Sequence, residues 1–450
     1  MSGAQATLLQ YDAPYPVYAL DWAEPQQHRV GTSFRLALGS FTEDMKNRIS
    51  IIGLMDERSL WEEELDGVVP SANGASAGGR TPSMPPQDFV CLAEAHHGYP
   101  PTKIAWQPAS AHKLNGAGAG GYGPDAPREL LASTADGLRI WEYTQNAESG
   151  SNQFGKTTPA PLSGRLQQRV ILTGSKGQNN AQMAPLTSFA WNTIDPQRIV
   201  TASIDTTCTV WNINTQTAVT QLIAHDREVY DVAWLPGSTD IFTSVGADGS
   251  LRAFDLRSLE HSTILYETPV AKPTSSSRPA NSGPGSAAAS PVPPPRTTSS
   301  SLLRIAFNPN DANYMATFHL DSHDVQVLDM RSPGQPVADL RAHRGQVNAV
   351  SWGKVDAMLA TGGDDGQLLI WDMASKNFSP RGASKTSSRS TDPKRKNIIS
   401  EPILAYSGPS EISNIAWSPV LPPFQLSSGY LSGGEWVAAA MGKSVRCLKA

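Results

Sequence analysis

Cysteine is scarce. Only Cys91, Cys208 and Cys447 occur in 450 residues, widely scattered and with no CxxC spacing for zinc or redox exchange, so they read as reduced thiols. No stretch approaches the ~18 apolar residues of a membrane span. The first thirty residues also lack the cationic start and apolar run of a secretory signal, so the expected compartments are cytoplasm and nucleus, with no membrane partner. Charge of one sign is missing as well: a net charge of −5 and a pI near 6.0 give no basic field to draw the chain onto nucleic acid. No P-loop or HExxH occurs, and the G-x-S-x-G string Gly74–Gly78 lies in a Gly- and Ser-rich stretch without the strand-to-helix pattern of a nucleophile elbow. The expectation is a chain that is not an enzyme and carries no cofactor or metal.

What is present is turn chemistry and repetition. Gly 37 and Pro 35 accompany a hydrophobic content of 39%, enough for a sizeable core once low-complexity stretches are set aside. A short alternating strand ending in an aromatic recurs seven times: YALDW to Trp22, TKIAW to Trp106, TSFAW to Trp191, YDVAW to Trp234, LRIAF to Phe307, NAVSW to Trp352 and SNIAW to Trp417. The intervals are 84, 85, 43, 73, 45 and 65 residues. The two short ones match the roughly 40–45-residue period of WD-type propeller blades. Residues 67–88, 144–168, 268–301 and 375–400 are rich in Ser, Pro, Gly, Thr and charge, and they read as low-complexity, disordered insertions into one continuous domain, 1–450. Removing 268–301 and 375–400 reduces the intervals of 73 and 65 to 39 each.

Within each unit a Ser/Thr-bearing strand follows (LLASTAD, IVTASID, IFTSVGAD, MLATGGDD), then one ending in LRIWE, CTVWN, LRAFD, VQVLD or LLIWD, then a fourth such as RVILTG, AVTQLIAH, VADLRAH or PILAYSG. Four antiparallel strands at this spacing make one blade, so the predicted fold is an all-β, seven-bladed propeller. The seventh unit is one strand short. ATLLQY, residues 6–11, is expected to supply its outer strand, because an open blade edge invites aggregation.

Trp371-Asp372 is the one intact WD dipeptide. In that sixth unit His343, Thr361, Asp365 and Trp371 occupy the positions that form a buried hydrogen-bonded network in WD repeats. The fourth unit repeats it with His225, Ser244 and Asp248, but Phe254 replaces the indole; the third keeps Thr201, Asp205 and Trp211 without the histidine. A Ser–His–Asp set also suits a nucleophilic triad, but one that recurs blade after blade argues for architecture. His96-His97 reads as a solvated pair in a polar loop, and Lys394-Arg395-Lys396 as a solvated loop or a nuclear-import signal.

Propeller geometry places the residues six and four before each marker aromatic around one mouth of the channel. These are Pro16 and Tyr18, Pro100 and Thr102, Pro185 and Thr187, Glu228 and Tyr230, Ser301 and Leu303, Gln346 and Asn348, and Glu411 and Ser413. The tyrosines offer area and the glutamates charge, so Tyr18, Glu228, Tyr230, Gln346, Asn348 and Glu411 are expected to bind a partner's short basic-aromatic segment.

RLALGSF (35–41), PLTSFAWN (185–192), SIDTTCTVW (203–211), QLIAHDREVYDVAW (221–234), SVGADGSLRAFDLRSLEHSTILYE (244–267) and EPILAY (401–406) resemble one WD-repeat scaffold family, that of the plant Transparent Testa Glabra regulators and the animal protein that binds DYRK-type kinases. The resemblance touches most blades, although the family lacks insertions such as 67–88 and 268–301. It implies a non-catalytic scaffold, monomeric within larger complexes, assembling kinases or bHLH- and MYB-type transcription regulators. The endings FDLR and LDMR are also similar to the aromatic-Asp-x-Arg ending of WD proteins that dock on the adaptor of cullin-RING ubiquitin ligases. Asp255, Arg257, Asp329 and Arg331 then become candidate adaptor contacts, and the alternative function is that of a ligase substrate receptor.

Overall fold

The computed structural model describes residues 8–25, 34–54, 88–111, 129–145, 164–173, 184–269, 300–374, 397–426 and 429–450. Seven blade sheets follow one another along the chain, six of four antiparallel strands and one of five. Their inner strands are Val17–Trp22, Lys103–Trp106, Leu186–Trp191, Val229–Trp234, Leu302–Phe307, Val347–Trp352 and Asn414–Trp417, so every marker aromatic ends the inner strand of its own blade. Closure follows the expected route: Leu8–Asp12 pairs antiparallel with Ser444–Lys449, from Leu8↔Leu448 to Asp12↔Ser444, as the outer strand of blade seven.

The hydrophobic core is distributed, because each sheet buries both faces against its neighbours. Seven apolar clusters lie one at each junction between consecutive blades, including the junction of blade seven with blade one, where Leu9, Tyr11, Trp436 and Val445 meet Val17, Trp22 and Leu36. The marker aromatics stitch these junctions. The indole N–H groups of Trp22, Trp234 and Trp352 donate to the carbonyls of Ala416, Ala190 and Ala306, at 3.1, 3.0 and 2.9 Å. Each acceptor is the residue just before the preceding blade's marker, so an aromatic is needed for area and an indole for reach. Between blades one and two the buried Arg35 guanidinium binds both oxygens of Glu129 at 2.8 Å and lies over the rings of Trp106 and Tyr143. A buried ion pair of this kind is tolerable because both partners stay hydrogen-bonded.

Two expectations about the insertions change at their ends. Residues 144–145 and 164–168 are strand: Leu138–Gln145 pairs with Gly164–Leu172, and Leu166 is buried in the junction of blades one and two despite its Gln-rich neighbours. Asn397–Ile399 adds to the outer strand Pro336–Arg341 of blade five as a parallel fifth strand, so the insertion 375–400 ends as ladder and not as loose chain. Residues 67–87, 146–163, 270–299 and 375–396, with Lys394-Arg395-Lys396, lie outside the described residues. Blade one also has an outer strand unread from sequence, Phe89–His97.

Candidate partner-binding surfaces

The polar sets that recur from blade to blade are internal struts. In blade six His343 Nδ1 lies 3.1 Å from both oxygens of Asp365, its Nε2 lies 2.8 Å from Thr361 Oγ1, and Trp371 Nε1 donates to that hydroxyl at 3.0 Å. Burial pulls His343 below the ordinary histidine value. The neutral ring therefore donates from Nδ1 and accepts at Nε2, and every proton in the chain has one direction. Gly366, at φ 68°, lets the turn fold Asp365 back onto the ring. In blade four His225 binds Asp248 at 3.0 Å, Ser250 at 3.1 Å and Ser244 at 2.7 Å, and Phe254 stacks on Phe242 instead of donating. In blade three Trp211 donates to Thr201 at 2.9 Å, whereas Asp205 stays exposed and closes its own turn onto Thr207.

One strut was misread. His97 is buried at 1% exposure, and only His96 faces solvent. His97 Nδ1 donates to the Tyr99 carbonyl, its Nε2 meets Ser133 Oγ at 3.1 Å, and Trp141 donates to Ser133 at 2.9 Å. The signal was available: His97, His225 and His343 all stand nine residues before their blade's marker. The acid is missing because Asp136 is held by Arg139 at 2.6 Å. Ser133, Ser244 and Thr361 are each at 0% exposure, so no substrate reaches these hydroxyls.

The mouth of the channel is built by a repeated irregularity. In blades one, three, four, five and six the ladder between the first two strands skips one residue: Tyr18, Thr187, Tyr230, Leu303 and Asn348. Each stands four before its marker. A bulge re-aims its extra residue away from the sheet. These five, with Thr102 and Ser413 at the same position, line a cavity of about 590 Å³ together with Pro16, Phe41, Arg304, Asp364 and Glu411. Of the positions six before the marker, only Pro16 and Glu411 reach it. Glu228 and Gln346 do not line it; their carbonyls accept the N–H of Ala247 and Asp364, at 2.8 Å each, as the Pro16 carbonyl accepts that of Phe41. The Pro185 and Ser301 carbonyls do the same for Ile204 and Leu320.

Below the mouth lies a tier that sequence spacing did not disclose, the residues three before each marker. Lys103 Nζ lies 3.2 Å from Ser188 Oγ and 3.4 Å from Asp231. Asp231 accepts from the Ser188 hydroxyl and from Ile305 N at 3.0 Å. Arg304 crosses the channel to donate to Tyr18 OH at 2.8 Å. It thereby separates the mouth from a second cavity of about 630 Å³, whose wall includes Asp21, Glu24, Lys103 and Lys354. Burial pushes the Asp21 carboxyl up to about 6, against the Trp106 N–H that it accepts at 2.8 Å.

At the far ends of the third strands of blades four and five stand two matching acid–arginine pairs. Arg257 binds both oxygens of Asp255 at 2.9 and 2.7 Å, and Arg331 binds both of Asp329 at 2.9 and 2.7 Å. The arginine hydrogen bonds hold Asp255 at about 2 and Asp329 below the usual carboxylate range. Arg257 and Arg331 are 66% and 56% exposed, so each fork is preset and open to a partner. Among the described residues no group of three or more His, Cys, Asp or Glu has the geometry to hold a metal ion, and no helix is long and apolar enough to cross a membrane.

Comparison with known proteins fits this geometry. The WD domain, G-beta repeat family matches residues 216–255 and 334–372, in blades four and six with the outer strand that precedes each. Over 440 residues the chain is 36% identical to the DDB1- and CUL4-associated factor 7 homolog of Dictyostelium discoideum, covering 98% of this chain and 97% of that protein. The chain belongs to that WD-repeat family. Two WD repeat-containing proteins of yeasts are similar too: one of Schizosaccharomyces pombe, 36% identical over 91% of this chain and 85% of its own length, and one of Saccharomyces cerevisiae, 34% identical over 83% and 60%. For a WD-repeat propeller of this family, the supported role is that of a protein-interaction scaffold.

Proposed function

We propose that this WD-repeat protein is a non-catalytic scaffold, monomeric within larger complexes of the cytoplasm and nucleus, that assembles kinases or bHLH- and MYB-type transcription regulators without touching nucleic acid or membrane itself. The observation that carries the reading is the mouth. Five bulges at one position of the inner strands turn side chains out of the ladder and into one cavity, which spends regular pairing on a binding surface. The His–Ser/Thr sets that would suggest catalysis are sealed inside the blades. The test is affinity purification from cells followed by mass spectrometry, with Tyr18→Ala beside the native chain. Kinases or transcription regulators retained by the native chain and lost by the variant support the reading, and a chain that elutes alone refutes it.

The two acid–arginine forks favour a second reading, that of a substrate receptor in a cullin-RING ligase. A Dictyostelium relative is described as DDB1- and CUL4-associated, and the forks sit on adjacent blades with both guanidinium groups exposed. Asp255→Ala with Arg257→Ala should abolish capture of DDB1 in a pull-down while the thermal melt stays unchanged. Retained capture counts against this reading.

A further inference from the structure

The mouth is not chemically uniform around its rim. Its two acids and two of its three aromatic rings fall on three consecutive blades, while Tyr230 stands on blade four. Asp364 belongs to a turn of blade six, Glu411 stands three residues before the inner strand of blade seven, and Tyr18 and Phe41 belong to blade one, with ring centroids 5.9 Å apart. Blades seven and one are tied here by Ser413 Oγ, which donates to the Val17 carbonyl at 3.3 Å. Glu411 is exposed, and Phe41, a large aromatic beside the Tyr18 ring, is 54% exposed at the rim. Asn348 donates to Asp364 at 2.6 Å and to the Ile412 carbonyl at 3.0 Å, which fixes that carboxylate at the mouth. Arg304 donates to the Tyr18 hydroxyl at 2.8 Å, which fixes that ring and keeps the guanidinium charge at the channel side of the mouth.

We infer that the arc from Asp364 through Glu411 to Tyr18 and Phe41 recognises an extended protein segment in which a lysine or arginine neighbours a large apolar residue. This deepens the scaffold reading and rests on it. The basic head meets two carboxylates, its methylene stem covers ring faces, and the neighbouring apolar side chain fills the cavity between the tyrosines. Arg304 sets the polarity, because a second cation driven to the floor is repelled while a backbone carbonyl is welcomed. An acidic segment is repelled at the arc from the outset.

The test uses the full chain and three fluorescein-labelled nonapeptides in a Gly-Ser frame, carrying Lys-Phe-Lys, Glu-Phe-Glu or Lys-Ala-Lys, with anisotropy as the readout. The Lys-Phe-Lys peptide should bind at least about tenfold more tightly than either other peptide, and should weaken as salt rises. Glu411→Lys, on an exposed side chain, should weaken it about tenfold with an unchanged melt, and Phe41→Ser should bring it to the level of the Lys-Ala-Lys peptide. Equal affinity for the acidic peptide, indifference to Glu411→Lys, or no saturable binding overturns the inference. The scaffold reading falls on a different result, the native chain isolated from cells without a stoichiometric protein partner.

Discussion

Replacing His343 by alanine should destabilise the propeller by about 2–4 kcal/mol. The ring makes one bond to a carboxylate, 3.1 Å from either oxygen of Asp365, and one to a neutral hydroxyl, 2.8 Å from Thr361 Oγ1. Bonds of these kinds contribute on the order of 1.5–3 and about 1 kcal/mol respectively. Asp365 recovers part of its loss, because it keeps the N–H groups of Arg344 at 2.8 Å and Gln367 at 3.1 Å. Thr361 loses the acceptor of its own proton while still receiving that of Trp371 at 3.0 Å. Equilibrium urea unfolding followed by far-UV circular dichroism measures the loss as a lower midpoint at unchanged slope. Thr361→Val removes the same bond from the other side, so the double variant should cost at least about 1 kcal/mol less than the two single losses together. A loss below about 0.5 kcal/mol, or strict additivity, refutes a directed proton chain.

Burial holds His97 neutral down to about pH 4, against 6.5 for an unfolded chain. The unfolded state therefore binds more protons between those values, and stability should fall by roughly 3 kcal/mol from pH 7 to pH 4, a loss that His97→Gln should blunt in a pH series of melts. Asp21 works with the opposite sign: its folded value of about 6 lies above the ordinary 3.8, so the stability it contributes when protonated disappears as pH rises through 6. Asp21→Asn should accordingly raise the melting temperature at pH 8, by about 1–3 kcal/mol in free energy, by about half as much at pH 5 and hardly at all at pH 3.5. Deleting residues 1–14 uncovers the edge of Ser444–Lys449 and removes the buried Leu9 and Tyr11, so a loss of about 3–6 kcal/mol and aggregation on heating are expected; an unchanged melt contradicts closure by that strand. Asp255→Ala with Arg257→Ala, by contrast, should leave the melt within about 1 °C, because both groups are at the surface.

The seven blades were legible because their signal is local. A marker aromatic closes an alternating strand, and in three blades, at Trp22, Trp234 and Trp352, its indole reaches the carbonyl before the previous marker. The closing strand was legible for an energetic reason, since an uncovered edge on blade seven had to be paired. What stayed hidden depends on through-space partners. Arg304 meets Tyr18 from the opposite side of the ring, 286 positions apart, and no spacing announces it. Asp364 and Phe41 reach the mouth from turns of the second strands, whereas the spacing argument considered inner strands alone. Glu228 and Gln346 were placed at the mouth by counting residues as if the strand were regular. The bulges turn Tyr230 and Asn348 into the mouth, whereas the residues two before them do not line it. His97 was passed over beside a second histidine, and Asn397–Ile399 beside a basic, Ser-rich stretch, where composition outweighed register.

Native mass spectrometry of the protein isolated from cells, as the native chain, as Glu411→Lys with Tyr18→Ala, and as Asp255→Ala with Arg257→Ala, tests the central claim that this propeller is a scaffold with separate binding faces. The native chain should carry at least one protein at fixed stoichiometry, the mouth variant should lose a partner that the fork variant keeps, and all three should melt as folded propellers. A native chain found alone, or both variants retaining every partner, would contradict it.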